Sequence, residues 1–240
     1  MSAAEYSTIT AADGHEFRAF VASPETGERV PVLILLHEIF GINDYMRTMA
    51  HEFAAAGYVA VVPDLFARQE KDVELAYTGK DFDHAIELRD GLDFAAVLAD
   101  ISATLTWGRQ TSLGTGAVAS LGYCLGGGLA FLASAELDLD CAVSYYGVGV
   151  QERIAVVPRI GCPILFHFAE NDHYCPADAR DLIISAFSED QTAEFHLYRG
   201  TGHAFATYGR NSFDTQAKDL AWERTLGFLK TWVPTQVLTP

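Results

Sequence analysis

The sequence is poor in basic residues: 16 Lys and Arg stand against 32 Asp and Glu, a formal net charge of −16 over 240 residues. A surface this acidic repels phosphate backbones, so nucleic acid is not an expected partner. Long hydrophobic runs are also missing. Val30 to Leu36, with Pro31 inside it, is far short of the ~20 residues that cross a bilayer, and no membrane association is expected. Met1 to Asp13 has neither the basic start nor the apolar core of a secretory signal, and the expected location is the cytoplasm. Cysteine is scarce. Cys124, Cys141, Cys162 and Cys175 include no CxxC pair, and a chain of this length folds without disulfides, so all four are read as free thiols. What is abundant is apolar surface: half the residues are hydrophobic and 12% aromatic. That excludes disorder and suffices for a single domain over residues 1–240 to bury a full core.

Strand-like and helix-like patterns alternate along the chain. Val32 to His37 reads as a strand, and Met46, Met49, Ala50 and Phe53 then share one helix face that Gly57 terminates. Tyr58 to Pro63 reads as a strand buried on both faces, and Leu88, Leu92, Ala95 and Ala99 as the next helical stripe. Gly116 to Gly122, Cys141 to Tyr145, Pro163 to Phe168 and Ala193 to Tyr198 read as strands. Leu125 to Ala135 and Asp214 to Lys230 read as helices, with Pro176 suited to the first turn of another. This alternation predicts an α/β fold with a mainly parallel central sheet and helices on both faces. Tyr6 to Thr10 and Glu16 to Ala22, joined at Asp13-Gly14, predict an N-terminal antiparallel edge hairpin, and the polar stretch Arg68 to Asp83 a loop or lid.

The sharpest motif is an apolar strand, Ala117 to Leu121, running into Gly122-Tyr123-Cys124-Leu125-Gly126-Gly127 and then a helix. This is a nucleophile elbow with cysteine at its tip. Its glycines permit a strained turn and close backbone approach, and a helix N-terminus favours negative charge on the sulfur. The elbow lacks the Gly-Lys-Ser/Thr ending of a phosphate-binding loop. Such an elbow needs an acid and then a histidine later in the chain. Asp172 follows the apolar strand that ends in Phe166-His167-Phe168, with Glu170 as a reserve acid, and His203 lies in Gly202-His203-Ala204-Phe205. Asp172 would hold one imidazole nitrogen while the other receives the thiol proton. His167, His173 and Cys175 near Asp172 match no standard zinc spacing, so neither a metal nor a cofactor is expected.

Together with His37-Glu38-Ile39-Phe40-Gly41, Val62 to Gln69, Tyr145 to Gly149, Gly202 to Ala206 and Glu223 to Leu226, these motifs span nearly the whole chain. The sequence resembles the dienelactone hydrolase (carboxymethylenebutenolidase) family of the α/β-hydrolase fold. The resemblance implies a Cys124, His203, Asp172 triad, with Glu38 helping to form the thiolate when substrate arrives. It implies an oxyanion hole from the backbone amides of Ile39 and Leu125, and Phe40, Tyr123, Tyr146, Phe205 and Arg210 as substrate-side residues. Dienelactone would be opened to maleylacetate in (chloro)aromatic degradation, by a monomer or small homo-oligomer acting on a small lactone or ester. In one respect the chain departs from the family. The two arginines that hold the dienelactone carboxylate fall, without gaps, at Phe82 and Thr207, and only Arg210, Lys80 or Arg89 stand nearby in sequence. A thiol-dependent esterase or acyltransferase on a neutral ester is therefore the alternative, followed by a catalytically silent ligand-binding fold.

Overall fold

The computed structural model describes residues 2–188 and 192–235. They divide into two units, one drawn from Met1–Ala119 and Val233–Pro240, the other from Ser120–Trp232.

In the first unit, β1 (Ser2–Thr10) and β2 (Glu16–Pro24) form the expected antiparallel hairpin, in register from Ser2 opposite Pro24 to Thr10 opposite Glu16. Its tip is set by Asp13, whose carboxylate accepts the His15 N–H at 3.0 Å, and by Gly14 at φ +86°. β2 pairs antiparallel with β4 (Val59–Pro63), and β4 parallel with β3 (Val30–Leu36). Every residue of β3 and β4 is buried, as continuous apolar runs in a parallel sheet require. α1 (Asp44–Ala55) starts where the Asn43 side chain accepts the Met46 N–H at 3.2 Å, and it buries Met46, Met49, Ala50 and Phe53.

One expectation fails here and another holds only in part. The stripe through Leu88, Leu92, Ala95 and Ala99 is broken, because α2 (Lys80–Asp90) ends at Gly91 and α3 (Phe94–Gln110) begins afresh. Asp93 caps α3 by accepting the N–H groups of Ala95 and Ala96, and Ala95 is left exposed. Arg68 to Asp83 is a loop only in part: Glu74 bridges to Gly41, Val73 is buried, and Lys80 opens α2. Arg68 is fixed rather than mobile, donating to both oxygens of Asp100 at 2.9 and 2.7 Å and to Asp13 at 2.7 Å. Asp100 is 1% exposed, and a buried carboxylate needs such a partner.

β5 is Gly114–Tyr123; the strand order is β1-β2-β4-β3 in the first unit and β6-β7-β8 in the second. The second unit adds α4 (Leu125–Glu136), β6 (Cys141–Tyr145), β7 (Ile164–Asn171), α5 (Ala177–Ala186), β8 (Ala193–Gly202) and α6 (Thr215–Trp232). A 3-10 segment, Gln151–Arg159, is a feature that apolar periodicity does not reveal. β6, β7 and β8 run parallel, with Ala142 beside Ile164 and Ile164 beside Ala193. No helix among the described residues is long and apolar enough to cross a membrane.

His37, at the end of β3, is wholly buried. Its Nε2 accepts the Leu65 N–H at 3.1 Å, which leaves Nδ1 to donate to the Glu38 carbonyl at 2.5 Å, so the ring must be neutral. Burial lowers its pKa from 6.5 to about 4. The unfolded chain takes this proton near pH 6.5 and the folded chain only near 4. The contribution is therefore complete above pH 6.5 and lost as the pH falls through 4, about 3 kcal/mol in all. Urea unfolding at pH 7 and pH 4 is expected to show His37→Gln losing less stability on acidification than the wild type, by about that amount.

Candidate active site

The elbow is built as the sequence predicts. Cys124 sits at φ +56°, ψ −114°, a conformation that costs a non-glycine residue energy, and α4 begins at the next residue. The end of β6 and the turn after it hold this conformation. The Cys124 N–H donates to the Tyr145 carbonyl at 3.0 Å, and the Cys124 carbonyl accepts from Val148 N at 3.0 Å and Gly128 N at 3.2 Å. A side chain at Gly122 would run into the Gly126 carbonyl, and one at Gly128 into the Val148 carbonyl. The glycines are thus a packing requirement of the turn. Leu125, first residue of α4, has one of the N–H groups that a helix leaves without an intrahelical acceptor.

Register brings the acid and the histidine together. β7 and β8 slip between Ala169 and Asn171, after which Asn171 pairs with Gly202, so the next residues of each strand, Asp172 and His203, leave the sheet side by side. Asp172 Oδ2 and His203 Nδ1 are 2.8 Å apart, and the other Asp172 oxygen accepts the Tyr174 N–H at 2.9 Å. Both side chains are buried. Glu170, the reserve acid, is exposed and accepts the Gly200 N–H at 2.8 Å; the structure brings Asp172 to the imidazole, and not Glu170. His203 Nε2 makes no hydrogen bond of ordinary geometry among the described residues, yet the Cys124 sulfur lies near enough for its charge to act on the ring. Burial opposes the imidazolium, but the electrostatic pull of the Cys124 side chain and the Asp172 hydrogen bond outweigh it and raise the His203 pKa from 6.5 to about 10. Cys124, His203 and Asp172 are therefore brought together within one unit.

The other thiols are placed differently. Burial pushes Cys162 and Cys175 up to about 12, aided by Asp140 and Asp138 at Cys162 and by Asp172 at Cys175; burial also raises Cys141 well above its ordinary value.

Of the expected substrate-side residues, Tyr123, Tyr146 and Phe205 are buried in the second unit. Arg210 is half-buried in the turn after His203, its N–H donating to the Thr207 carbonyl at 3.3 Å. Glu38, Ile39 and Phe40 follow β3 in the first unit. Glu38 is only 2% exposed, so it is no surface acid. Phe40 packs edge-on to Tyr77 at 4.8 Å and lies 6.1 Å from Phe82. Of the possible replacement cations in the first unit, Arg89 pairs with Asp90 at 2.7 Å and Lys80 is exposed at the start of α2. His167 is committed through both nitrogens, to Tyr198 at 2.8 Å and Thr225 at 2.9 Å. No group of His, Cys, Asp or Glu among the described residues is arranged to hold a metal.

Sequence reading missed three supports. Arg180, on α5, donates to the carbonyls of Glu170 and Cys175 at 3.2 Å each and ties down the Asp172 loop. The Ser212 hydroxyl donates to the His203 carbonyl. Tyr174 donates through its backbone to Asp172, for which the Asp-x-x pattern of an Asx turn was an available signal; the other two leave no local mark in the sequence.

A cysteine elbow at the end of β5, followed by an acid after β7 and a histidine after β8, is the constellation of an α/β hydrolase. The chain belongs to the dienelactone hydrolase family, whose family model matches residues 17–233. It is 38% identical over 223 residues to the carboxymethylenebutenolidase of Pseudomonas putida, covering 92% of this chain and 94% of that protein. It is 35% identical to carboxymethylenebutenolidase 1 of Cupriavidus pinatubonensis, covering 92% and 94%. The crystal structure of a dienelactone hydrolase candidate from Klebsiella pneumoniae superposes with a TM-score of 0.83 at 25% identity, over 96% of this chain and 98% of that one. The protein is accordingly a carboxylic ester hydrolase.

Proposed function

We propose that this chain opens a lactone or enol ester through a covalent thioester at Cys124, free of metal and cofactor, as a cytoplasmic enzyme whose residues 1–240 act as one domain. The observation that carries this reading is His203, bonded through Nδ1 to Asp172 and within electrostatic reach of the elbow thiol. The Cys124 proton passes to His203 Nε2, and the sulfur attacks the acyl carbon. The backbone N–H of Leu125, left without an intrahelical acceptor, takes the oxyanion, a contribution of about 2.7–4 kcal/mol, and Ile39 is the second donor that the resemblance implies. The ring C–O bond then breaks and the enol oxygen takes the proton from His203. Water, giving a proton to the same nitrogen, releases the acid and restores the thiol. Glu38 assists thiolate formation as substrate arrives. Dienelactone, opened to maleylacetate in aromatic degradation, is the first substrate, supported by the names of the relatives.

A second reading, a neutral ester as substrate, is favoured by the two positions where carboxylate-binding arginines would stand. Phe82 belongs to an aromatic group with Phe40, and the Thr207 hydroxyl is 2.9 Å from that of Tyr146. Neither offers the bidentate cation that a carboxylate prefers. One experiment addresses both readings: ring opening of cis- and trans-dienelactone is compared with hydrolysis of a neutral aryl ester, each during titration with iodoacetamide and peptide mapping. Cys124 is expected to be alkylated first, although Cys162 is more exposed, and both activities to fall in step. A thiol held at about 12 is thiolate in only ~10⁻⁴ of molecules at pH 8. Labelling of Cys141, Cys162 or Cys175 ahead of Cys124, with activity lost in step, refutes the nucleophile. A faster aryl ester selects the second reading.

A further inference from the structure

The turn after β6 contains a strained residue that the proposed chemistry does not use. Tyr146 sits at φ +38°, a left-handed conformation expensive for a bulky side chain, and is 1% exposed. Its backbone is pinned by an N–H bond to the His167 carbonyl at 2.8 Å. Tyr145, just before it, and Val148, two residues after it, hold the backbone of Cys124 at 3.0 Å each. Its ring leads elsewhere. It meets the His203 ring at 66° with centroids 5.2 Å apart and Phe205 at 5.4 Å, while its hydroxyl lies 2.9 Å from the hydroxyl of Thr207. Thr207 closes the turn that presents His203, its N–H donating to the Ala204 carbonyl at 3.0 Å.

One residue therefore joins the turn that cradles the nucleophile to the turn that carries the base. The Asp172 bond fixes only Nδ1 of His203, leaving the ring free to swing about that contact. Tyr174 meets the imidazole at 4.7 Å and 65° in addition to Tyr146, so two near-perpendicular rings clamp it. Among the described residues, the titratable groups that face His203 include Asp172, Cys124 and, at 6.2 Å, His173.

We propose that Tyr146, latched to Thr207, is a positioning residue that sets the separation of His203 Nε2 from the Cys124 thiol, and that it is not a substrate contact. This rests on Cys124 and His203 acting as nucleophile and base. A displacement of the order of 1 Å can cost about 10²-fold in rate, so loss of the latch has a measurable effect without loss of any catalytic group.

The test uses Tyr146→Phe, Thr207→Val and the pair together, none of which alters the backbone chemistry of the turn. Turnover of a nitrophenyl acetate and the pH dependence of iodoacetamide alkylation at Cys124 are measured on each. Either single substitution is expected to lower kcat about 10-fold to 10²-fold with KM unchanged, and to move the alkylation midpoint to higher pH as the imidazolium leaves the thiolate. The double variant is expected to be no worse than either single one, and Thr207→Ser to restore both readouts. A raised KM at unchanged kcat makes Tyr146 a substrate contact and overturns the proposal. So do additive effects, or a lowered thermal midpoint with kcat and alkylation midpoint both unmoved. Wild-type hydrolysis by Cys124→Ala counts against the nucleophile instead, and the alkylation profile of the Tyr146 and Thr207 variants still reads the latch separately.

Discussion

Replacing Asp172 with asparagine is expected to lower turnover about 10⁴-fold while the fold persists. The carboxylate serves two donors at once, the imidazole Nδ1–H at 2.8 Å and the Tyr174 N–H at 2.9 Å. An amide cannot satisfy both. With its oxygen toward Tyr174, its NH2 faces Nδ1 and forces the proton onto Nε2, the wrong tautomer for accepting from the thiol. With its oxygen toward His203, its NH2 opposes the Tyr174 N–H, and the negative charge that favours the imidazolium is gone. Both acylation and deacylation depend on Nε2, so single-turnover and steady-state rates on a good ester should fall together. The raised imidazole pKa should come down in the variant, read by the pH dependence of Cys124 alkylation. Turnover within about tenfold of wild type would show that the acid orients nothing that matters.

Glu38→Gln is expected to behave differently, slowing acylation by about 10² to 10⁴ with a smaller effect on deacylation. Glutamine keeps the size and hydrogen-bonding capacity of the side chain but loses its charge and its ability to take a proton. The His37 bond is to the Glu38 backbone carbonyl, which the substitution leaves in place. A plain triad without the glutamate predicts near-wild-type acylation for this variant. Pre-steady-state acylation of an ester separates the two, and a rate within a few-fold of wild type leaves Glu38 a buried acid with no part in catalysis. The two substitutions thus differ in the step they slow, which keeps a failure of one from being read as a failure of the other.

Much of this site can be read along the chain because its constraints are local. A strained strand-to-helix turn needs small residues within a few positions of Cys124, and Gly122 and Gly128 stand where backbone carbonyls leave no room for a side chain. Asp172 could be named because it follows a visible apolar run, and His203 because it follows the strand Ala193 to Tyr198 among glycines that let it turn inward. The helix break was harder to see. Leu88 and Ala95 keep a plausible period across Gly91, and only the Asp93 cap shows that two helices are present. Periodicity reports apolar spacing, whereas a cap is one hydrogen bond.

By itself, then, the sequence determined the α/β alternation, the buried parallel strands, the N-terminal hairpin and the chemical identity of the elbow, all of which follow from burial and backbone sterics within short stretches. The tertiary structure supplied the contact that the choice of Asp172 over Glu170 needed. Glu170 and Asp172 are two residues apart and chemically alike, and it is the slip between β7 and β8 that sets Asp172 beside His203 and turns Glu170 to the Gly200 amide. It also decided that Thr207 answers Tyr146 across 61 positions of chain, and that His37 is neutral. Pairings of that kind depend on register and on desolvation, which arise only when distant segments pack, and no local pattern of residues encodes them.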